Sequence, residues 1–216
     1  MEAIRIACLL VGYLLGLFQT AFVYGKARGI DIREHGSGNS GTTNALRVLG
    51  TKAGLLVFAG DCLKCMAAVW LVRLTFGRAY PEIRYLLCLY AATGAILGHN
   101  FPFYMSFKGG KGIAATAGLL LSFHPYFVAV GAVLFFGSFL TTHYVSVGSL
   151  LLYIGFLIQT LYLGQTGFFG LPPKTLYELY GLALFLTGMA LWRHRENIGR
   201  LFKGTERKTY LFRKKE

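Results

Sequence analysis

The chain has 216 residues, of which 55% are hydrophobic and only 14% are charged, and its mean hydropathy is +0.52. These values exclude an ordinary soluble domain and predict an integral membrane protein. Lysine and arginine number 22 against 9 acidic residues, which gives a net charge of +13. Because these charges lie in loops beside apolar runs, we interpret them as the cytoplasmic charge bias of a membrane protein and not as a nucleic-acid surface.

Long apolar runs predict the membrane spans. A helix rises about 1.5 Å per residue, so a run of about 20 residues crosses the hydrocarbon core. Residues 3–24 and 53–72 satisfy this length, and residues 147–164 and 176–192 come close to it. A shorter run at about 85–98 is expected to form the third span.

The apolar run of residues 113–140 decides the number of spans. It contains Pro125, and a proline interrupts a helix. If the run breaks there and crosses twice, the basic tail after Trp192 shares the cytoplasmic face with the other basic loops. We therefore predict an all-α bundle of seven transmembrane helices, with the amino terminus outside and the carboxyl terminus in the cytoplasm. Its fourth helix, residues 113–123, would be only about 17 Å long and half-buried.

Three polar loops contain the candidate catalytic and ligand-binding side chains. They occupy about 25–52, 99–112 and 193–206 of a single transmembrane domain that covers residues 1–216. The predicted topology puts all three on the cytoplasmic side. Their convergence predicts a half-buried site at the membrane surface.

The first loop contains GSGNSGTTNALR, residues 36–47. Its Gly-x-Gly-x-x-Gly spacing superficially matches a dinucleotide-binding fingerprint, but no strand precedes it. If a helix begins near Thr42, Thr43 and Arg47 lie on the same face. The planar guanidinium of arginine suits phosphate oxygens, although a capped helix start with a solvated arginine would have the same sequence.

The second loop contains Phe-Lys-Gly-Gly-Lys-Gly, residues 107–112. A glycine-rich loop that opens a helix presents N–H groups to an anion, and lysines add charge. It is not a nucleotide-binding Walker A loop, because Met105 replaces the first glycine and Ile113 replaces the serine or threonine. His99, just before this loop, is interpreted either as a catalytic residue or as a packed ring.

The third loop follows the last span. His194 and Asn197 are three residues apart, so a continuing helix would direct both at one ligand. Histidine transfers protons near neutral pH, and asparagine orients a hydroxyl. The basic cluster at 208–215 is interpreted as a surface for anionic lipid. Ser146 offers a further hydroxyl between the fifth and sixth spans.

Two features inside the spans have structural interpretations. Asp61 and Lys64 are expected to neutralise each other, although charges within a membrane also mark functional sites. Cys62 and Cys65 have the spacing of a redox or zinc motif, but no second pair completes it, so we predict buried thiols.

Together these loops resemble the membrane-integral acyl-phosphate:glycerol-3-phosphate acyltransferase family of bacteria, the PlsY family. The resemblance covers essentially the whole chain. The three motifs of the family correspond here to GSGNSGTTNALR (36–47), GHNFPFYMSFKGGKG (98–112) and HRENIGRLFKGTE (194–206). It implies a multi-pass protein of the bacterial inner membrane with a cytoplasmic active site, which catalyses the first acylation of phospholipid biosynthesis.

The implied reaction transfers a fatty acyl group from acyl phosphate to the 1-hydroxyl of glycerol 3-phosphate, giving lysophosphatidic acid and phosphate. The residues assigned to catalysis are Ser37, Arg47, Lys111, His194 and Asn197, and those assigned to substrate binding are Asn39, Thr43, Asn44, Lys108, Gly109, Gly110, Gly112 and Ser146. We expect the N–H groups of the three glycines, with Lys108, to bind glycerol 3-phosphate. We expect membrane lipid around the protein, and no metal, cofactor, nucleic acid or obligate protein partner.

Two alternatives compete with this reaction. A transporter or channel for organic phosphates would also need several spans and a cationic loop. The polar residues cluster at one face, however, which favours an enzyme. Acyl transfer by a His-x4-Asp pair is disfavoured because no histidine is followed by aspartate at that spacing.

Overall fold

The computed structural model describes residues 1–210; Arg213, Lys214 and Lys215 of the predicted lipid-binding cluster lie outside the described residues. All regular secondary structure within residues 1–210 is helical, without a strand. The helices are α1 (Glu2–Gly16), α2 (Thr20–Ala27), α3 (Thr42–Leu49), α4 (Thr51–Leu74), α5 (Phe76–Ala79), α6 (Arg84–Asn100), α7 (Ile113–Phe123), α8 (Pro125–Thr142), α9 (Val145–Gln165), α10 (Pro173–Arg193) and α11 (Arg195–Phe202).

In the described part of the chain, six helical segments are long and apolar enough to cross a membrane. They are α1 with α2, α4 with α5, α6 with its flanking turns, α8, α9 and α10. The all-helical membrane fold is therefore confirmed. The spans predicted at 53–72, 85–98, 147–164 and 176–192 coincide with α4, α6, α9 and α10.

The predicted interruption at Pro125 is also confirmed. His124 is extended, with φ of −165°, and it separates α7 from α8. Helix α7 has 11 residues and is therefore about 17 Å long. Most of its side chains are buried against neighbouring helices, which shield a helix too short to cross the bilayer alone.

The span predicted at residues 3–24 falls within the apolar segment Glu2–Ala27, but the helix is interrupted inside it. Helix α1 ends at Gly16, and α2 begins only at Thr20. The Gln19 side chain between them is buried, and its Nε2 donates to the carbonyl oxygens of Gly98 and His99 at 3.3 and 3.0 Å. Because the helix is interrupted at Gln19, the buried amide of this residue reaches hydrogen-bond acceptors at the end of α6.

Helix α6 is the centre of the bundle, and small residues let α1 approach it. A Cβ atom at Gly12 or Gly16 of α1 would collide with the carbonyl oxygen of Ala91 or Ala95, respectively. A Cβ atom at Gly98 of α6 would collide with α1 in the same way. Glycines spaced four apart are a common means of close helix packing in membranes. The carboxyl end of α6 therefore lies firmly against α1 and leads into the glycine loop.

Candidate active site

All three polar loops line one cavity of about 960 Å³ at one end of the bundle. Its polar wall contains twelve of the thirteen predicted site residues, namely Ser37, Asn39, Thr43, Asn44, Arg47, Lys108, Gly109, Lys111, Gly112, Ser146, His194 and Asn197. Gly110 is the exception. Apolar side chains form another part of the lining, which we call the apolar wall; among them are Leu55 and Phe58 of α4 and Phe135, Phe136 and Phe139 of α8.

The first loop leads into α3, which begins at Thr42 as predicted. Thr43 and Arg47 therefore lie on one face of α3, and both line the cavity. Asn44 is buried, and its amide is engaged by the loop itself. Its Oδ1 accepts from the Ser37 N–H at 2.8 Å, and its Nδ2 donates to the carbonyl oxygens of Ile32 and His35. Asn44 thus holds the loop in shape, contrary to its predicted role as a substrate ligand.

The glycine loop packs onto the end of α6. The N–H groups of Gly109 and Gly110 donate to the carbonyl oxygens of Asn100 and His99, both at 3.1 Å. A Cβ atom at Gly109 would collide with that His99 carbonyl oxygen, and one at Gly110 with the His99 ring. The prediction that these two N–H groups bind phosphate is therefore wrong, because both are committed within the protein. From the other side, Arg193 Nη2 donates to the Gly109 and Gly110 carbonyl oxygens.

The start of α7 has backbone N–H groups that are free to bind an anion. Gly112 has φ of +82°, a conformation that favours glycine, and immediately precedes the helix. Its N–H group has no protein acceptor among residues 1–210. Together with the first turn at Ile113 and Ala114, it lines the cavity. The unpaired N–H groups and the helix dipole favour negative charge at this point.

Lys111 and Asn197 bring the second and third loops together. The Lys111 Nζ donates a hydrogen bond to Asn197 Oδ1. Burial, together with the nearby positive charge of Arg200, lowers the pKa of Lys111 to about 8. Lys111 is therefore still a cation at neutral pH, and its positive charge is available to a phosphate group in the cavity.

His194 lies at a break between α10 and α11, so the last helix does not continue through His194 and Asn197. His194 and Asn197 nevertheless both line the cavity. The His194 Nδ1 lies 2.8 Å from the Ala190 carbonyl oxygen, which requires a proton on Nδ1. Burial and the neighbouring charge of Lys111 lower the pKa of His194 to about 4. The ring is thus neutral at pH 7, with its Nε2 available to accept a hydrogen bond.

Glu206 is a site residue that the sequence analysis missed. Its side chain is only 5% exposed, and its Oε1 accepts from Ser146 Oγ at 3.0 Å and from Asn197 Nδ2 at 2.6 Å. Its Oε2 accepts from Arg200 Nε at 2.7 Å. Burial opposes ionisation, but these hydrogen bonds lower the pKa of Glu206 overall. The only sequence signal was its position at the end of the third motif.

The predicted ion pair of Asp61 and Lys64 is confirmed, with Nζ and Oδ1 2.9 Å apart. The ammonium also contacts His99 Nδ1 at 2.8 Å and the Phe18 carbonyl oxygen at 2.6 Å. Three acceptors therefore satisfy the three N–H groups of the lysine. The His99 ring is fixed beneath Gly110, which favours the packed-ring interpretation of His99.

Comparison with known proteins agrees with this arrangement. The family model for glycerol-3-phosphate acyltransferase matches residues 6–204. A glycerol-3-phosphate acyltransferase of Halalkalibacterium halodurans is 41% identical over 206 residues, covering 94% of each chain. One of Bacillus cytotoxicus is 40% identical over 210 residues, covering 96% of each. The chain belongs to the glycerol-3-phosphate acyltransferase family.

The fold of this acyltransferase is that of the solved relatives. The crystal structure of PlsY, an integral membrane glycerol 3-phosphate acyltransferase, matches in its glycerol 3-phosphate form with a TM-score of 0.80, 32% identity and coverage of 95% of this chain and 96% of that one. Its lysophosphatidic acid form matches with a TM-score of 0.78, 31% identity and coverage of 96% of each. The resemblance inferred from the three motifs is confirmed, and the enzyme interpretation prevails over the transporter.

Proposed function

We propose that this acyltransferase uses acyl phosphate as its donor and acylates the 1-hydroxyl of sn-glycerol 3-phosphate. The observation that carries the proposal is a single cavity lined by both cationic and apolar side chains. Its polar wall supplies Arg47, Lys108 and Lys111 for two phosphate groups, and its apolar wall suits a fatty acyl chain. Phe58 and Phe136, which line the cavity, are 39% and 51% exposed, and the acyl chain would extend past them toward the membrane.

The residues divide between the two substrates. The acyl-phosphate head is held by Ser37, Asn39, Thr43, Arg47, Lys111 and Ser146. Glycerol 3-phosphate is held by Lys108 and by the Gly112 N–H at the start of α7, without the N–H groups of Gly109 and Gly110. Ser37 is exposed and Asn39 is partly exposed at the cavity, so their polar groups are accessible to a ligand.

The transfer is a direct displacement at the acyl carbon. The neutral His194 accepts a hydrogen bond from the attacking hydroxyl, and Asn197 orients the hydroxyl oxygen with the Nδ2 N–H that Glu206 does not accept. A bond forms between the hydroxyl oxygen and the acyl carbon, and the bond from that carbon to the phosphate oxygen breaks. Phosphate leaves with the bonding electrons and receives the hydroxyl proton by way of His194 Nε2, while Lys111 stabilises the developing oxyanion. No acyl-enzyme forms, since no serine in the cavity is paired with a histidine base among residues 1–210.

The site assignment is tested with Arg47→Ala and Lys111→Ala. We expect each to lower palmitoyl-phosphate-dependent formation of lysophosphatidic acid by at least about a hundredfold, because each removes a phosphate-binding cation. Arg28→Ala and Lys203→Ala are matched controls outside the cavity. Unchanged transfer in Arg47→Ala and Lys111→Ala would mean that the substrates bind elsewhere.

The seven-span topology in the bacterial inner membrane, with a cytoplasmic active site, is part of the proposal. Because three loops line one cavity, an even number of crossings must separate Gly112 from His194, and α7, α8, α9 and α10 supply four. Tyr126, at the turn after α7, is 56% exposed. A cysteine at Tyr126 should react with an impermeant maleimide in intact cells, whereas a cysteine at Lys203 should react only after permeabilisation. The opposite pattern would reverse the orientation.

A further inference from the structure

The chain crosses the cavity after α11 in a segment, residues 203–210, that we call the strap. Gly204, with φ of +66°, turns the chain back, and the Thr205 N–H closes the turn on the Arg200 carbonyl oxygen at 2.9 Å. The family match ends at Gly204. Residues 205–210 of the strap therefore lie beyond the part of the chain that the family model matches.

The strap is anchored near both of its ends. Near its start, the Glu206 carboxylate accepts hydrogen bonds from Ser146 and Asn197. Near its end, the Thr209 N–H donates to the His143 carbonyl oxygen at 2.9 Å, and the Tyr210 ring lies 4.8 Å from the His143 ring. These contacts fix the position of the backbone between residues 206 and 210.

The strap ends on Arg47. The Arg47 Nη2 donates to Thr209 Oγ1 at 2.6 Å and to the Arg207 carbonyl oxygen at 3.2 Å. Thr209 is only 5% exposed, so its hydroxyl is held in one place. The Nε and Nη1 groups of Arg47 have no acceptor among residues 1–210, and Arg47 lines the cavity. The strap thus occupies one nitrogen of the guanidinium and leaves the others for a ligand.

We propose that Thr209 is a positioning residue, whose hydroxyl orients Arg47 toward the phosphate of the acyl donor. This rests on the role of Arg47 given in the proposed function. A free arginine side chain has many rotamers, and fixing it only on substrate binding costs conformational entropy. A guanidinium already held by the strap binds phosphate without that cost.

The test compares Thr209→Val with Thr209→Ser. Valine keeps the shape of threonine and removes the hydroxyl, whereas serine keeps the hydroxyl. We expect Thr209→Val to raise the KM for palmitoyl phosphate about tenfold, with kcat, the KM for glycerol 3-phosphate and the thermal midpoint unchanged. Thr209→Ser should keep the wild-type KM. Thr205→Val is the matched control, since its exposed hydroxyl reaches only the Arg200 carbonyl oxygen at 3.5 Å.

Several results would overturn the proposal, and they are distinguishable. A wild-type KM in Thr209→Val, together with an inactive Arg47→Ala, would remove Thr209 from the mechanism and leave the proposed function standing. An equal loss in Thr209→Ser, or a lower thermal midpoint with both KM values raised, would mean that Thr209 only supports the fold. Full activity in Arg47→Ala would overturn both the proposed role of Arg47 and the inference built on it.

Discussion

At the scale of single residues, the partly buried position of Lys111 determines how acyl transfer depends on pH. Its pKa is lowered from 10.5 to about 8, first by burial and then by Arg200. The cationic form is therefore lost above about pH 8, at a lower pH than for an exposed lysine. We expect kcat/KM for palmitoyl phosphate, which reports ionisation of the free enzyme, to fall through this range.

Lys111→Arg is the control for this pH dependence. An arginine keeps its charge throughout the same range, so the fall above pH 8 should disappear even if the maximal rate is lower. If the wild type and Lys111→Arg lose activity together as the pH rises, another group causes the loss.

Glu206 determines how firmly the third loop and the strap are held. Its carboxylate accepts from Ser146, Asn197 and Arg200, and Glu206→Gln would place an amide N–H against donors. We expect Glu206→Gln to lower the stability by about 1–3 kcal/mol, measured as a lower thermal midpoint in detergent. Glu196→Gln should leave the midpoint unchanged, because Glu196 is 73% exposed and 3.9 Å from Arg200. An unchanged midpoint in Glu206→Gln would show that these contacts contribute little.

At the scale of helices, the contact of α1 with α6 holds in place the helix end on which the glycine loop packs. Gly12→Val would force the two backbones apart, because its Cβ atom meets the Ala91 carbonyl oxygen. We expect a thermal midpoint well below that of the wild type and loss of activity. Gly181→Ala is the control, since nothing lies within 4 Å of a Cβ atom there. Equal midpoints for the two variants would argue against close packing of α1 on α6.

The helices were predictable wherever a local signal marked their ends. Pro125 separates α7 from α8, and Thr42 begins α3, as the sequence indicates. The break between α1 and α2 was not predictable, because the partners of Gln19 are the carbonyl oxygens of Gly98 and His99, about 80 residues away in sequence. A single glutamine in an apolar run does not reveal such distant partners.

For the molecule as a whole, the sequence predicted which residues line the cavity better than it predicted the contacts that each residue makes. Residue types and spacing identified the loops that meet at the cavity, because phosphate recognition requires cations, hydroxyl groups and N–H donors. The hydrogen bonds that Asn44 and the Gly109 N–H make within the protein could not be predicted from the sequence, because their partners depend on how each loop folds back on itself. Glu206 and Thr209 were missed for the same reason, because the course of the strap is a tertiary property.

The central claim is that a cationic pocket beside a lipid-facing apolar wall transfers an acyl group from acyl phosphate to glycerol 3-phosphate. The most direct measurement follows lysophosphatidic acid and phosphate formed by the purified protein in detergent, with palmitoyl phosphate or palmitoyl-CoA as the donor. We predict equal amounts of both products with palmitoyl phosphate and no lysophosphatidic acid with palmitoyl-CoA. Lysophosphatidic acid formed from palmitoyl-CoA alone, or no product from palmitoyl phosphate with folded protein, would contradict the account.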